Sequence, residues 1–165
     1  MKKYEFTGET KEIRLLFRTA TLHRIRATVA FGIVEVGDLG GWIEKEENLS
    51  HEGKAWVWGN AKVWGNAEVC GDAEVWGNAE VFSASHVLVI GAIGSRNDFT
   101  TFYRDKDNEI TVKCGCFLGK IDRFLEKVTQ THGDSKYALV YRAAVEVAKL
   151  QIDLSGEAPK DADEE

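Results

Sequence analysis

The sequence has few features of a secreted or membrane protein. Its 165 residues include only three cysteines (Cys70, Cys114 and Cys116). This odd number, without the spacing of a disulfide framework, is typical of a reducing cytoplasm. The start, Met1-Lys2-Lys3, continues with polar and aromatic residues rather than an apolar run, so we predict no secretory signal. No stretch approaches transmembrane length. We therefore predict a cytoplasmic protein without membrane contact.

Motifs of common enzymes are also missing: there is no glycine-rich phosphate loop, nucleophile elbow or paired-carboxylate motif. The net charge of −6 disfavours non-specific nucleic-acid binding. The charge is uneven, because residues 1–31 carry a net +4 and the remainder −10. Arg14, Arg24 and Arg26 are therefore candidates for a small anion site. Solvated strand faces are the alternative interpretation.

A six-residue repeat is the main feature that the sequence does have. Residues 57–62, 63–68, 69–74 and 75–80 all follow the pattern Val-Trp/Cys-Gly-Asn/Asp-Ala-Lys/Glu. A period of six does not fit the 3.6-residue period of a helix and indicates one structural unit stacked on itself. Three such units make one triangular coil. The repeat therefore predicts a short left-handed parallel β-helix.

The residue at the second position of each repeat unit is the one whose type the fold does not require. Valine and alanine point inward and Gly-Asn forms the corners, whereas the second position points outward and is large and apolar. Residues eighteen apart lie on adjacent coils, so we expect Trp58 over Trp76 and two further pairs. Apolar ladders of this kind mark interfaces, and Trp is enriched in interface anchors. The further pairs are Trp64 over Phe82 and Cys70 over Leu88. The candidate interface residues are therefore Trp58, Trp64, Cys70, Trp76, Phe82 and Leu88. These residues could be covered by a second or third copy in a dimer or trimer, by the flanking domains of the chain, by a foreign protein, or by a stacked sugar or nucleobase.

The flanking regions predict a mainly β protein with four parts. Residues 1–36 show strand-like alternation and form an N-terminal β cap, and residues 37–93 form the β-helix. Residues 94–152 form a C-terminal α+β domain with a hairpin and two helices, because apolar residues there recur at helical spacing. Residues 153–165 are acidic and rich in small residues, which predicts disorder.

The repeat resembles that of hexapeptide-repeat acyltransferases, in which a histidine near a subunit groove deprotonates the acceptor. This resemblance implies His51 or His86 as the weak catalytic candidates. A metal site formed by Cys114, Cys116 and His132 is a further hypothesis, but structural zinc needs about four ligands. We therefore predict buried cysteines and no metal or cofactor.

A second resemblance covers nearly the whole chain. It is carried by residues 37–50 (Gly-Asp-Leu-Gly-Gly-Trp-Ile-Glu-Lys-Glu-Glu-Asn-Leu-Ser), the repeats, Cys114-Gly115-Cys116-Phe117 and Thr131-His132-Gly133-Asp134. Together these resemble a bacteriophage and prophage family of hexapeptide-repeat, polymer-forming proteins. The resemblance implies a phage accessory protein that acts against host defence in the bacterial cytoplasm. The first hypothesis is a non-enzymatic inhibitor that binds a host protein. The alternatives are an oligomeric sponge for a nucleotide-type signal and an acyltransferase.

Overall fold

The computed structural model describes residues 1–155, so most of the predicted acidic tail at 153–165 lies outside the described residues. The chain forms eleven strands and two α-helices within this range. The strands are β1 Tyr4–Arg14, β2 Thr19–Ala27, β3 Leu39–Ile43, β4 Trp56–Val57, β5 Lys62–Val63, β6 Glu74–Val75, β7 Glu80–Val81, β8 Val87–Ile93, β9 Asp98–Arg104, β10 Ile110–Cys114 and β11 Phe117–Lys120. The helices are α1 Ile121–His132 and α2 Lys136–Gln151.

A five-stranded mixed sheet joins the N-terminal hairpin to the repeats, in the order β1-β2-β3-β5-β7. β1 and β2 pair antiparallel, and β2 pairs antiparallel with β3. β3, β5 and β7 then pair in parallel. The hairpin forms here because apolar and polar residues alternate, which buries Ile13, Leu22 and Ile25 on the inward positions.

The repeats stack with a register of eighteen residues. Val57 pairs with Val75 in the two-stranded sheet β4-β6, and Val63 pairs with Val81 between β5 and β7. The repeat valines and alanines are buried in one core cluster. The repeat glycines occupy the corners with φ between 58° and 72°, a backbone conformation that glycine adopts at low cost.

The expected left-handed parallel β-helix is wrong. Within residues 1–155 the repeats form neither a solenoid nor a closed helix, and they contribute only two-residue parallel strands. The five-stranded sheet is mixed and the four-stranded sheet is antiparallel. The physical reason is that a few short repeat units leave unpaired strand edges, and such edges attract other strands. Antiparallel partners from both flanks take up this role, since β2 pairs with β3 and β9 pairs with β8.

The C-terminal part is an antiparallel sheet, β11-β10-β9-β8, covered by α1 and α2. α1 buries Phe124 and Val128, and α2 buries Ala138, Tyr141, Ala144, Val145 and Ala148. These side chains pack on Phe102 and Val112 of the sheet. Neither helix in the described range has the length and apolar character needed to cross a membrane.

Candidate functional site

The second aromatic pair of the repeat lies inside the molecule. Trp64 stacks on Phe82 with ring centroids 4.9 Å apart. Trp64 is only 2% exposed, because it packs with Trp42 of β3 and with Ile13, Ala20 and Leu22 of the N-terminal hairpin. Of the possible covers for this pair, the flanking part of the chain is therefore the one observed.

The first aromatic pair is only half-buried. Trp58 stacks on Trp76 with ring centroids 4.1 Å apart and an interplanar angle of 11°. Phe31 packs against the same cluster, and the Lys113 ammonium lies 5.0 Å from the Trp76 ring centroid. Trp58 contributes to the wall of a surface cavity.

A first cavity, the C-terminal cavity, has a volume of about 150 Å³. Its wall combines the loop before β9, the turn between β10 and β11, α1 and α2. The lining residues used below are Arg96, Cys114, Cys116, Lys127, His132 and Tyr141. Two segments that stand apart in the sequence, Cys114–Phe117 and Thr131–His132, thus meet at one site.

The C-terminal cavity has an aromatic and sulfur-containing floor. The His132 and Tyr141 rings stack with centroids 5.8 Å apart. Thr100 Oγ1 donates to Cys114 Sγ at 3.3 Å, and Cys114 Sγ donates to Tyr141 Oη at 3.9 Å. Burial raises the pKa of Tyr141 to about 12, with the Cys114 thiol as a further cause and Arg96 opposing it. Tyr141 therefore presents a neutral hydroxyl at physiological pH.

Basic side chains border this floor. Arg96 and Lys127 are exposed and line the cavity, and His132 ends α1 at the same place. Asp98 is the one carboxylate among the lining residues. The wall therefore combines two fixed cations with aromatic surface, which suits an anionic group attached to a planar or apolar one.

A second cavity, the repeat-side cavity, adjoins the first. It has a volume of about 270 Å³ and shares Asp98 and Gly115 with the C-terminal cavity. Its wall includes Trp58, Lys54 and Lys113, together with Phe31, Ile33, Asp72, Glu74 and Phe99. Burial raises the pKa of Glu74, and Lys113 opposes this shift. The two cavities meet at Asp98 and Gly115, at the junction of the repeats and the C-terminal sheet, and we call the pair the composite site.

The two histidines proposed for acyl transfer occupy structural positions. His86 is 2% exposed, and its Nδ1 accepts from the Phe82 amide at 3.1 Å. Burial and the neighbouring Arg104 lower the pKa of His86. His51 stacks on the Tyr4 ring at 4.2 Å, and its Nδ1 accepts from the Lys3 amide at 3.0 Å. Neither lines the composite site.

The three candidate anion-binding arginines are not gathered into a site. Arg26 donates twice to Glu5 Oε1, at 2.6 and 3.2 Å. Arg24 lies beside Glu9 at 3.7 Å and over the Trp42 ring. Arg14 pairs with Thr19 at the far end of the hairpin. Five residues along β2 separate Thr19 from Arg24, which is about 17 Å.

The last predicted pair has separate surroundings. Cys70 is exposed on its repeat corner. Leu88 lies in β8 opposite Phe102 and packs against the C-terminal core.

Cys114 and Cys116 are reduced, with Cys114 partly buried and Cys116 exposed. No group of three or more potential metal ligands occurs among residues 1–155. The part of the chain that the structure describes therefore offers no ligand set for the hypothesised metal site.

Sequence reasoning missed the cationic members of the composite site. Arg96, Lys113 and Lys127 come from three separate segments, and no spacing connects them. Helical spacing predicts two helices in residues 94–152 but does not mark Tyr141 as part of a site. The motifs around Cys114 and His132 are the sequence signal that falls on this cavity, although no pattern indicates that they meet.

No family model matches the chain, and no curated protein matches it.

Proposed function

We propose that the protein binds a small molecule with an anionic group and a planar part, in the class of nucleotides, at the composite site. The observation that carries this proposal is the C-terminal cavity, where Arg96 and Lys127 border an aromatic floor. It adjoins the repeat-side cavity, whose wall has Trp58 and two lysines together with the carboxylates of Asp72, Glu74 and Asp98. A 150 Å³ cavity holds a group about the size of one aromatic ring. The remainder of a nucleotide-sized ligand would extend past Asp98 and Gly115 into the repeat-side cavity.

The biological role that we propose is a phage-encoded sponge that sequesters a nucleotide-type signal in the host cytoplasm. Sequestration requires binding without turnover, and the composite site offers cations and aromatic rings for that purpose. Membership of the phage hexapeptide-repeat family is part of the proposal and rests on the sequence motifs given above. Two of those motifs, around Cys114 and His132, line the C-terminal cavity, which supports a shared binding role for them.

Calorimetric titration tests the proposal with AMP, adenosine and inorganic phosphate as probes. We expect AMP to bind more tightly than adenosine, because adenosine lacks the anion. Arg96→Gln and Lys127→Gln should each weaken AMP binding by about ten- to a hundredfold, since a charge-assisted hydrogen bond contributes about 1.5–3 kcal/mol. Arg123→Gln is the control, one turn earlier on α1 and outside the cavity lining.

Heat denaturation of protein purified from bacteria provides an independent test, because a sequestered nucleotide would be released and identified by mass spectrometry. The proposal fails if no compound is released and neither AMP nor phosphate binds. It also fails if the cavity variants bind AMP as tightly as the parent chain.

Inhibition of a host protein is the second candidate, and one observation favours it. Leu49 bridges to Val69 in parallel, which places the exposed Glu47 and Glu68 on neighbouring segments beside the exposed Cys70. These three residues are exposed, whereas Trp64 is buried under other parts of the chain. Capture of one stoichiometric bacterial protein, lost in Glu68→Lys and kept in Lys127→Gln, would favour this candidate over the sponge. We do not propose acyl transfer, because His51 and His86 are held in structural contacts.

A further inference from the structure

The second helix carries an apolar stripe on the side away from the core. Val140, Ala143, Val147 and Leu150 follow one another at spacings of three and four residues, and we call them the α2 stripe. Leu150 is 89% exposed, Val147 is 48% exposed and Ala143 is also exposed. The opposite side of α2 is filled by its buried residues. A helix with two apolar sides has one side left for a partner.

The spacing fits another helix as the partner. Apolar residues that alternate at three and four positions form the seam of paired helices. In an antiparallel pair centred near residue 145, Val140 of one copy would lie opposite Leu150 of the other, and Ala143 opposite Val147. Each small residue then faces a larger one, so the seam is complementary to itself.

The charges at the two ends of the helix select the orientation. Lys136 begins α2, and Asp153 follows its last turn, where its exposed carboxylate accepts from the Ser155 amide at 2.8 Å. Lys149 in the last turn is paired with Glu146 at 3.6 Å. Antiparallel pairing brings Lys136 of each copy near Asp153 of the other, whereas parallel pairing brings like charges together. A 16-residue helix is about 24 Å long. The contact would therefore fall at the small end of stable interfaces, which predicts weak, concentration-dependent association.

From this complementarity we infer that the α2 stripe is a homodimer interface, in which two copies pair antiparallel through α2. This inference does not depend on the proposed ligand. It assigns oligomer formation to a surface outside the repeats.

Analytical ultracentrifugation of the full chain over a wide concentration range tests the inference. We expect a monomer–dimer equilibrium for the parent chain and monomer at all concentrations for Leu150→Lys. Leu16→Lys is the matched control, because Leu16 is 88% exposed in the N-terminal hairpin and should leave the dimer unchanged. Circular dichroism checks that Leu150→Lys keeps its helices.

A charge exchange tests the orientation. Lys136→Glu and Asp153→Lys should each weaken the dimer by about three- to tenfold, since two symmetry-related surface pairs are lost. The double variant should regain the parent dissociation constant. Lys136→Glu places a carboxylate at the start of the helix, which favours the folded helix, so its effect would not come from unfolding. A parent chain that stays monomeric, a trimer, or a double variant weaker than both single variants would overturn the inference.

Discussion

At the scale of single residues, Lys3 is a cation buried between an aromatic ring and backbone carbonyls. Its side chain lies under the ring of Phe31, and Nζ donates to the carbonyl of Ala55 at 2.7 Å and to two further carbonyls at 3.4 Å. The residue is 3% exposed. Burial lowers the pKa of Lys3 to about 8, while Asp72 and Glu52 oppose the shift. The contact ties the first strand to the segment that precedes the regular repeats.

This environment predicts that the free energy of unfolding rises with pH between about 8 and 10.5. In that window the folded chain has lost the Lys3 proton and the unfolded chain still holds it, so higher pH favours folding. At about 1.4 kcal/mol per pKa unit, the rise is about 1–3 kcal/mol. Urea titrations of the parent chain and of Lys3→Met at several pH values measure it.

The Lys3→Met comparison isolates this residue from the other groups that titrate in the same window. We expect the variant to show a smaller rise than the parent chain. An equal rise in both chains would contradict the assignment, and so would a fall in the parent chain.

At the scale of elements, repeat units with identical residues have different neighbours. Gly65 and Gly77 both follow Val-Trp and precede Asn-Ala, and both have positive φ, 63° and 72°. A Cβ atom on Gly65 would lie 2.7 Å from the Phe82 carbonyl oxygen, whereas one on Gly77 would meet nothing within 4 Å. The difference arises because Gly65 has the Phe82 segment stacked against it.

These two glycines form a matched pair for substitution. Gly77→Ala should cost about 1–2 kcal/mol, the penalty of a left-handed backbone for a residue with Cβ. Gly65→Ala should cost about 1–3 kcal/mol more, because the Phe82 backbone stacked against it must also shift. Thermal and urea unfolding measure the stability of both variants. Equal losses in the free energy of unfolding would show that the repeat units do not stack as described.

At the scale of the whole molecule, local patterns in the sequence predict neighbours better than they predict topology. The six-residue period correctly predicts the contact of Trp58 with Trp76, and helical spacing predicts α1 around Phe124 and Val128. The period does not report that strands outside the repeats pair antiparallel with it. That outcome depends on contacts between distant segments, such as Arg24 opposite Trp42.

The composite site also depends on contacts between segments that are distant in the sequence. Its members come from the repeats, the loop before β9, the turn at Cys114 and both helices. Only folding brings Arg96, Lys127 and Tyr141 together, so no periodic pattern marks them. The sequence shows the motifs around Cys114 and His132 but not their proximity.

Strand β9 joins the repeats to the C-terminal sheet, and it does so through side chains. Thr101 Oγ1 accepts from the Glu74 amide at 3.0 Å. Tyr103 Oη donates to the Trp76 carbonyl at 3.1 Å. Arg104 donates to the Glu80 carbonyl at 2.8 Å. Tyr103 is also 1% exposed within the core of the repeats, although its backbone belongs to the antiparallel sheet. Val87 and Val89 of β8 also pack against this core, and Tyr103 is the fully buried residue that the two regions share.

We expect the chain to unfold in one cooperative transition, with Tyr103 as the point of coupling. Tyr103→Ala should lower the free energy of unfolding by about 3–5 kcal/mol, as for other buried aromatic residues. Tyr103→Phe keeps the ring and loses only the hydrogen bond to Trp76, so it should cost about 1 kcal/mol. Hydrogen exchange distinguishes coupling from a local effect, because Tyr103→Ala should reduce the protection of amides in β5 and β10 by similar amounts. Loss of protection confined to β10 would show that the repeats fold independently of the C-terminal sheet, and the composite site between them would then lack a rigid frame.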